Sequence, residues 1–134
     1  MSNGGALEKT EPGSIVWVDL TVPDAETLKS FYSEVTGWRP VPVAMGEYKD
    51  YAMNTPGSDQ ATAGVCNARG TNAGLPAQWL IYIAVNDIDA AMTRCEELGG
   101  SVVVRPKGLG KGRYCVIRDP AGAVCALYQE AVEV

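Results

Sequence analysis

The sequence predicts an α+β fold made of two tandem βαβββ modules within one domain. The first observation behind this prediction is a repeat: Val22 and Asp24 recur as Val85 and Asp87, 63 residues later. The second is that each Asp is followed by an apolar stripe of helical period and then by short strand-like runs. A spacing shared by a strand and a helix is typical of internal repeats, so we interpret it as a duplication.

Each module begins with a strand, because residues 15–22 and 79–85 are β-branched and aromatic. Asp24 and Asp87 then occupy the positions of helix N-caps. Apolar side chains follow at i, i+3, i+4 and i+7 spacing, which predicts one buried stripe on each helix. These side chains are Leu28, Phe31, Tyr32 and Val35 in the first module and Ile88, Ala91, Met92, Cys95 and Leu98 in the second.

Glycines end both helices, at Gly37 and at Gly99–Gly100, where a left-handed residue is least costly. The remaining strands are predicted at 38–43, 48–54 and 62–67 in the first module and at 101–105, 113–118 and 123–128 in the second. Asp119-Pro-Ala-Gly122 has the residues of a type I turn, which predicts a hairpin. The spacing of 63 also relates Val35 to Leu98, Gly37 to Gly100 and Tyr51 to Tyr114.

These elements fit a single domain, since 134 residues are enough for one hydrophobic core. We expect residues 1–12 to form a flexible tail and residues 13–134 to form the domain. Within the domain, module one covers 14–68 and module two covers 78–129. Residues 69–77, which are rich in glycine, form the predicted linker.

Composition limits the function. The net charge of -5 opposes binding to nucleic acid and to anionic membranes. No apolar run approaches the ~20 residues of a membrane span, and the start lacks the features of a signal peptide, so we expect a cytoplasmic protein. There is no histidine, which removes the commonest general base and the commonest transition-metal ligand. The four cysteines form no CxxC motif, and we interpret them as buried apolar side chains rather than as nucleophiles or zinc ligands.

Several motifs together resemble the vicinal oxygen chelate superfamily, which includes glyoxalase I, bleomycin-resistance proteins and extradiol dioxygenases. They are Val22-Pro-Asp24, the helix end Val35-Thr-Gly-Trp38, Ala84-Val-Asn-Asp87, Glu97-Leu-Gly-Gly100 and Arg118-Asp-Pro-Ala-Gly122. The resemblance covers about residues 14–129. It implies a half-open, rolled mixed sheet of about eight strands with helices outside, a ligand inside the cup, and a homodimer.

Alternation along the strands indicates which side chains face the cup. In the first strand these are Trp17, Asp19 and Thr21, opposite Val16, Val18, Leu20 and Val22. In the second module they are Leu80, Tyr82 and Ala84, opposite Trp79, Ile81, Ile83 and Val85. The last strand adds Val124, Ala126 and Tyr128.

Relatives that use a metal hold it through the first and last strands of each module, mostly by His and Glu. Carried over residue by residue, those positions fall on Trp17, Leu80, Ala126 and, through the repeat spacing, Ala63. None of these side chains has a lone pair for a divalent cation. The expectation is therefore that the protein has no metal and no other cofactor, and that the family's metal chemistry does not carry over.

Three functions remain open. The first is a small-molecule binding protein that holds an aromatic or anionic ligand against Trp17, Thr21, Leu80, Tyr82, Tyr114, Ala126 and Tyr128, with Arg113 from a basic, glycine-rich segment at 105–118. The second is an enzyme, either metal-free with Asp19 as general acid or base and Tyr82 or Tyr114 polarising a carbonyl, or a divergent metal-dependent lyase or dioxygenase. The third is a non-catalytic regulatory subunit whose cup is vestigial.

Overall fold

The computed structural model describes residues 11–70 and 73–131. Its elements are β1 (Ile15–Val22), α1 (Ala25–Thr36), β2 (Arg39–Ala44), β3 (Lys49–Asn54), β4 (Ala61–Asn67), β5 (Trp79–Ala84), α2 (Ile88–Glu97), β6 (Ser101–Leu109), β7 (Gly112–Arg118) and β8 (Val124–Gln129). The predicted βαβββ order therefore occurs twice. The strands form a mixed sheet in the order β2-β3-β4-β1-β5-β8-β7-β6, and the α+β fold class is confirmed. Most of the predicted tail, and two residues of the predicted linker, lie outside the described residues.

The backbone divides into two compact units. The first contains Trp17–Trp79, and the second contains Leu80–Val134 together with Val16 and the residues just before it, as far as these are described. In the first unit β4 pairs in parallel with β1 and antiparallel with β3, which pairs antiparallel with β2. In the second unit β8 pairs in parallel with β5 and antiparallel with β7, which pairs antiparallel with β6. Each unit has its own helix and its own core.

In the first unit, α1 covers one face of the sheet. The buried side chains of that face are Leu20, Val22, Tyr51, Met53 and Val65, packed with Ala25 and Leu28 of α1. The predicted helix stripe is too wide, since Phe31 and Val35 are 53% and 64% exposed. Phe31 instead meets the ring of Tyr32 edge-on, with centroids 5.0 Å apart.

In the second unit, α2 buries Ile88 and Met92 against Cys115 and Leu127, with Ile83, Val85, Ala91, Val102 and Ile117 around them. Leu98, predicted in the same stripe, is 60% exposed, because α2 ends at Glu97 and Leu98 is only its C-cap. Trp79 also departs from prediction. Although it begins β5, it belongs to the first unit, where it packs with Tyr32 and Trp38, and its indole Nε1 donates to Tyr32 Oη at 3.2 Å.

The local signals at helix ends and turns are confirmed. Asp24 accepts a hydrogen bond from Thr27 N at 3.1 Å, and Asp87 accepts from Asp89 N and Ala90 N, both at 3.1 Å. The left-handed residue that ends α1 is Gly37, with φ +83°, while after α2 it is Gly99, with φ +97°. The predicted turn closes through Gly122 N donating to Asp119 O at 2.9 Å.

The 63-residue spacing holds at the helix N-caps, Asp24 and Asp87, but the left-handed glycine that corresponds to Gly37 is Gly99 and not the predicted Gly100. The spacing also fails in the later strands. Leu20 lies beside Val65, which pairs with Tyr51; Ile83 lies beside Leu127, which pairs with Cys115. Cys115, not Tyr114, is thus the equivalent of Tyr51, and the predicted match was wrong. The causes are local: the register of β6 with β7 shifts at two places before Cys115, the β3–β4 register shifts between Met53 and Asn54, and the loop after β3 is longer than the loop after β7.

Candidate ligand-binding faces

We call the sheet surface opposite each helix the helix-distal face. In the first unit this face carries Trp17, Asp19 and Thr21 of β1, Ala52 of β3, and Gly64 and Cys66 of β4. Asp19 lies beside Gly64, and Thr21 lies beside Cys66. The three β1 residues therefore share one face, as strand alternation predicts.

Gly64 lets two side chains of this face come close together. A Cβ at position 64 would lie 3.2 Å from the Cβ of Asp19 and 3.5 Å from Cζ2 of Trp17. Asp19 is only 8% exposed, so its carboxyl group is largely removed from water. Nothing in the sequence marked Gly64 as a member of the face, because glycine carries no periodicity signal of its own.

The Cys66 thiol lies beside two carboxylates on this face. Burial raises its pKa, and the negative charges of Asp19 and Asp50 raise it further. Asp50 is itself held in place, since its Oδ1 accepts from the backbone N–H of Asn67 at 2.9 Å and from the side-chain amide at 3.1 Å. The thiol therefore stays protonated at neutral pH and is a poor nucleophile.

In the second unit the helix-distal face is apolar and aromatic. Its side chains are Leu80, Tyr82, Ala84, Tyr114, Val116, Ala126 and Tyr128, all of them buried. Tyr82 lies beside Ala126, and Tyr114 lies beside Tyr128. The rings of Tyr82 and Tyr114 are 5.8 Å apart between centroids, tilted by 49°. Five of the predicted ligand-binding residues are thus brought together here, along with Val116, which sequence reasoning had missed.

Tyr128 fits into space that Gly112 leaves free. A Cβ at position 112 would lie 2.6 Å from Oη and 2.8 Å from Cζ of Tyr128. Burial raises the pKa of this tyrosine, with a smaller contribution from Glu130, so its hydroxyl group is neutral at physiological pH. It can donate a hydrogen bond to a ligand but cannot act there as a base.

Arg113 is not brought to this face. It alternates with Tyr114 on β7 and lies on the side of α2, where its guanidinium pairs with the carboxylate of Asp89 at 3.0 Å. The basic segment of which it is part forms the β6–β7 hairpin. The positive charge of Arg113 is therefore paired with the first turn of α2 and does not lie on the helix-distal face.

The β1–β4 and β5–β8 registers locate the four positions at which metal-using relatives hold their ion. Ala126 lies beside Tyr82 as Gly64 lies beside Asp19, so the counterpart of Ala126 is Gly64. The match with Ala63 was wrong, because Ala63 pairs with Met53 on the helix side. Trp17, Leu80, Gly64 and Ala126 supply no oxygen, nitrogen or sulfur ligand of the kinds that bind metals. In the part of the chain that the structure describes, no cluster of three His, Cys, Asp or Glu residues could hold an ion. The chain's residues do not fit the family's metal.

The burial of Cys115 and Cys125 predicts how slowly their thiols react. Burial raises the pKa of Cys115 to about 11, and burial with the nearby Asp119 charge raises that of Cys125. The thiolate fraction of Cys115 should therefore reach one half near pH 11 rather than near pH 9. At pH 8 we expect Cys115 to react with iodoacetamide about 100-fold more slowly in the native protein than in urea. Mass spectrometry of peptides from timed digests measures each rate, with the unfolded protein as control. Equal rates in the two states would contradict the burial argument.

No helix in the described ranges has the length and apolar character needed to cross a membrane. The fold defines a class of protein: small α+β domains made of two βαβββ units. In each unit a helix covers one side of the sheet, and the candidate binding side chains lie on the helix-distal face. The chain belongs to the Glyoxalase/Bleomycin resistance protein/Dioxygenase superfamily, whose family profile matches residues 14–127.

Individual relatives agree with this assignment. The anthracycline biosynthesis protein DauV of Streptomyces sp. strain C5 is 31% identical over 150 residues, which cover 94% of this chain and 50% of DauV. CFP32 of Mycobacterium bovis, provisionally named a glyoxylase, is 35% identical over 123 residues, which cover 87% of this chain and 46% of CFP32. The chain spans about half the length of these curated relatives.

Among solved structures, methylmalonyl-CoA epimerase from Mycobacterium tuberculosis has a similar fold, with a TM-score of 0.57. The match covers 95% of this chain and 96% of the epimerase, at 17% identity. At that level of identity the likeness concerns the fold alone.

Proposed function

We propose that this chain is a metal-independent binding protein of the superfamily, which holds a small aromatic or anionic molecule on a helix-distal face. The observation that carries the proposal is the chemistry of the four family metal positions, which are Trp17, Gly64, Leu80 and Ala126. An indole, an isobutyl group, a methyl group and a hydrogen atom favour contact with carbon-rich ligand surface. DauV is named an anthracycline biosynthesis protein, and anthracyclines are planar and polycyclic, so a planar polycyclic molecule is the first probe.

The proposal predicts that anthraquinone-2-carboxylate binds and quenches tryptophan fluorescence. Because Trp17 lies on the helix-distal face, the Trp17→Phe variant should lose most of the quenching. Trp38 packs on the helix side of the same unit, with Tyr32 and Trp79, so Trp38→Phe is the matched control and should be quenched like the native protein. Fluorescence titration measures both.

Metal independence is checked in the same preparation. Native mass spectrometry of protein purified without chelator should show no stoichiometric divalent ion, and added EDTA should leave the dissociation constant of the probe unchanged. One bound ion per chain, or loss of binding in EDTA, would contradict the proposal. Failure of the probe and of a broad metabolite panel would favour the non-catalytic subunit with a vestigial cup.

A second candidate is a metal-free acid–base enzyme, favoured by the position of Asp19. Its carboxyl group is largely buried beside Trp17 and Gly64, and burial is the usual means by which a carboxyl group is tuned for proton transfer. Asp19→Asn would then abolish turnover of any substrate found while leaving its binding unchanged. Unaltered turnover in that variant would exclude this mechanism.

Two further expectations belong to the same proposal. The family resemblance supports a homodimer, which sedimentation equilibrium would test through the measured mass. We also expect a cytoplasmic location, and the net charge of -5 argues against a nucleic-acid partner.

A further inference from the structure

The first unit has a second concave surface, separate from its helix-distal face. It is a cleft of about 510 Å³ on the helix side of the sheet, beside the first turns of α1. Its side chains include Glu26, Lys29, Glu47, Tyr48, Lys49 and Tyr51. Sites for small organic ligands are typically ~300–1,000 Å³, so this cleft has the size of a binding site.

Three of these side chains form a connected set. The hydroxyl group of Tyr51 donates to Oε1 of Glu26 at 2.8 Å, and Nζ of Lys29 lies 3.8 Å from the other Glu26 oxygen. The same Nζ lies 5.3 Å from the centroid of the Tyr51 ring. The side chain of Lys29 is only 24% exposed, which is low for a lysine at the edge of a helix. Its ammonium group is therefore held at a defined place in the wall.

The opposite wall is also fixed. The hairpin turn that carries Tyr48 closes through Met45 N donating to Tyr48 O at 2.9 Å. The guanidinium of Arg69 lies 4.2 Å from the centroid of the Tyr48 ring. Asn67 joins this wall to α1, because its amide accepts from Ala25 N at 3.3 Å and donates to the carbonyl of Lys49 at 2.7 Å. A cleft with such walls is largely preformed for binding.

The side chains that line the cleft carry charges of both signs, two carboxylates and two ammonium groups, and the guanidinium of Arg69 lies over the ring of Tyr48. Glu26 and Glu47 oppose a simple anion, while Lys29 and Lys49 oppose a simple cation. A molecule that carries both charges can meet both pairs, since an ammonium group is attracted to carboxylates and a carboxylate to lysines. The side chains of Pro42 and Tyr48 add apolar surface to the lining.

From this arrangement we propose that the cleft binds a small zwitterion with an apolar side chain, of the chemical class of aromatic α-amino acids. The ligand's ammonium group meets Glu26 and Glu47, and its carboxylate meets Lys29 and Lys49. This site is distinct from the helix-distal faces and does not depend on the function proposed for them.

The test is a ¹⁵N-resolved NMR titration of the full chain with three probes. L-Phenylalanine carries both charges, 3-phenylpropionate lacks the ammonium group, and 2-phenylethylamine lacks the carboxylate. L-Phenylalanine should shift the amides of residues 26–29 and 47–51 in a saturable way, and each single-charge analogue should bind about 10-fold more weakly. Shifts at Gly64 or Ala126 would report a different site, on the helix-distal faces.

Two variants and a control complete the test. Glu26→Gln keeps an acceptor for Tyr51 and removes the charge, and Lys29→Met keeps the apolar stem, so both should fold while weakening L-phenylalanine about 10-fold. Lys111→Gln removes an exposed lysine from the β6–β7 turn and should leave affinity unchanged. If the amide shifts do not saturate by about 10 mM L-phenylalanine, the affinity is too weak for a specific site and the proposal is overturned. Equal affinity for the three probes, or equal affinity in all variants, would overturn it as well.

Discussion

Replacing Gly112 by alanine should destabilise the protein by about 3 kcal/mol, the cost of overpacking a site that cannot relax freely. The new methyl group would lie 2.6 Å from Oη and 2.8 Å from Cζ of Tyr128, and also too close to the backbone carbonyl of Gln129. Because Gln129 is paired with Arg113 in the β7–β8 ladder, relief requires the strands to separate or the ring to move. Urea denaturation, monitored by circular dichroism, measures the loss.

The control substitution lies in the β6–β7 hairpin, which also contains Gly112. Gly108 lies in β6 without a positive φ, and a Cβ there would meet nothing within 4 Å. Gly108→Ala should therefore change the free energy of unfolding by no more than about 0.5 kcal/mol. If the two alanines cost the same, the close approach of Gly112 and Tyr128 is not what makes position 112 sensitive.

Gly112→Ala also separates stability from binding. If Tyr128 contributes to ligand binding on the helix-distal face, the folded fraction of the variant should bind the anthraquinone probe more weakly, since its ring has moved. Gly108→Ala should bind as the native protein does. A titration at low temperature, where both variants are folded, makes this comparison.

The parts of the fold that local chemistry determines could be predicted from the sequence. The bounds of β1 agree with the predicted 15–22, and Asp24 and Asp87 cap their helices as their residue type and position predict. The Asp119–Gly122 turn closes as expected. In each case a few neighbouring residues contain the whole signal.

Register between distant strands could not be predicted in the same way. The matches of Ala63 and Tyr51 were inferred from a constant spacing, but register shifts in the β6–β7 and β3–β4 ladders, together with loop length, move each match by one residue. In a strand, one residue reverses the face on which a side chain lies. The metal-ligand argument survives this correction because Gly64, like Ala63, offers no ligand atom. The place of Arg113 beside Asp89 was missed for a different reason: Arg113 was assigned to the ligand by its charge, whereas alternation with Tyr114 on β7 puts it on the side of α2.

One repeated feature was missed although the sequence contains it. The last strands of the two units end in side-chain amides, Asn67 and Gln129. Each accepts a hydrogen bond from the first N–H of its unit's helix: from Ala25 at 3.3 Å, and from Ile88 at 2.8 Å. Both of these helix residues are fully buried, so their N–H groups have no water to replace the amide. The sequence shows an amide side chain at the end of the last strand of each unit. This pattern could have predicted a hydrogen bond to the first N–H of the helix in the same unit.

Asn67→Ala should accordingly cost about 3 kcal/mol of unfolding free energy, roughly 1 kcal/mol for each hydrogen bond lost. The amide joins β4 to α1 and to β3: it accepts from Ala25 N, and it donates to the carbonyl of Lys49 at 2.7 Å and to the carboxylate of Asp50 at 3.1 Å. Gln129→Ala removes the hydrogen bond that its amide oxygen accepts from Ile88 N and should cost about 1–2 kcal/mol.

Asn86→Ala is the matched control, because Asn86 is exposed, and it should stay within about 0.5 kcal/mol of the native protein. Hydrogen exchange then distinguishes a local effect from a general one. In Asn67→Ala the amides of the first turn of α1 and the start of β3 should lose protection before those of α2, because the lost hydrogen bonds lie within the first unit. Equal loss of protection in α1 and α2 would show that the amide acts on global stability alone and does not hold the start of α1 to the sheet.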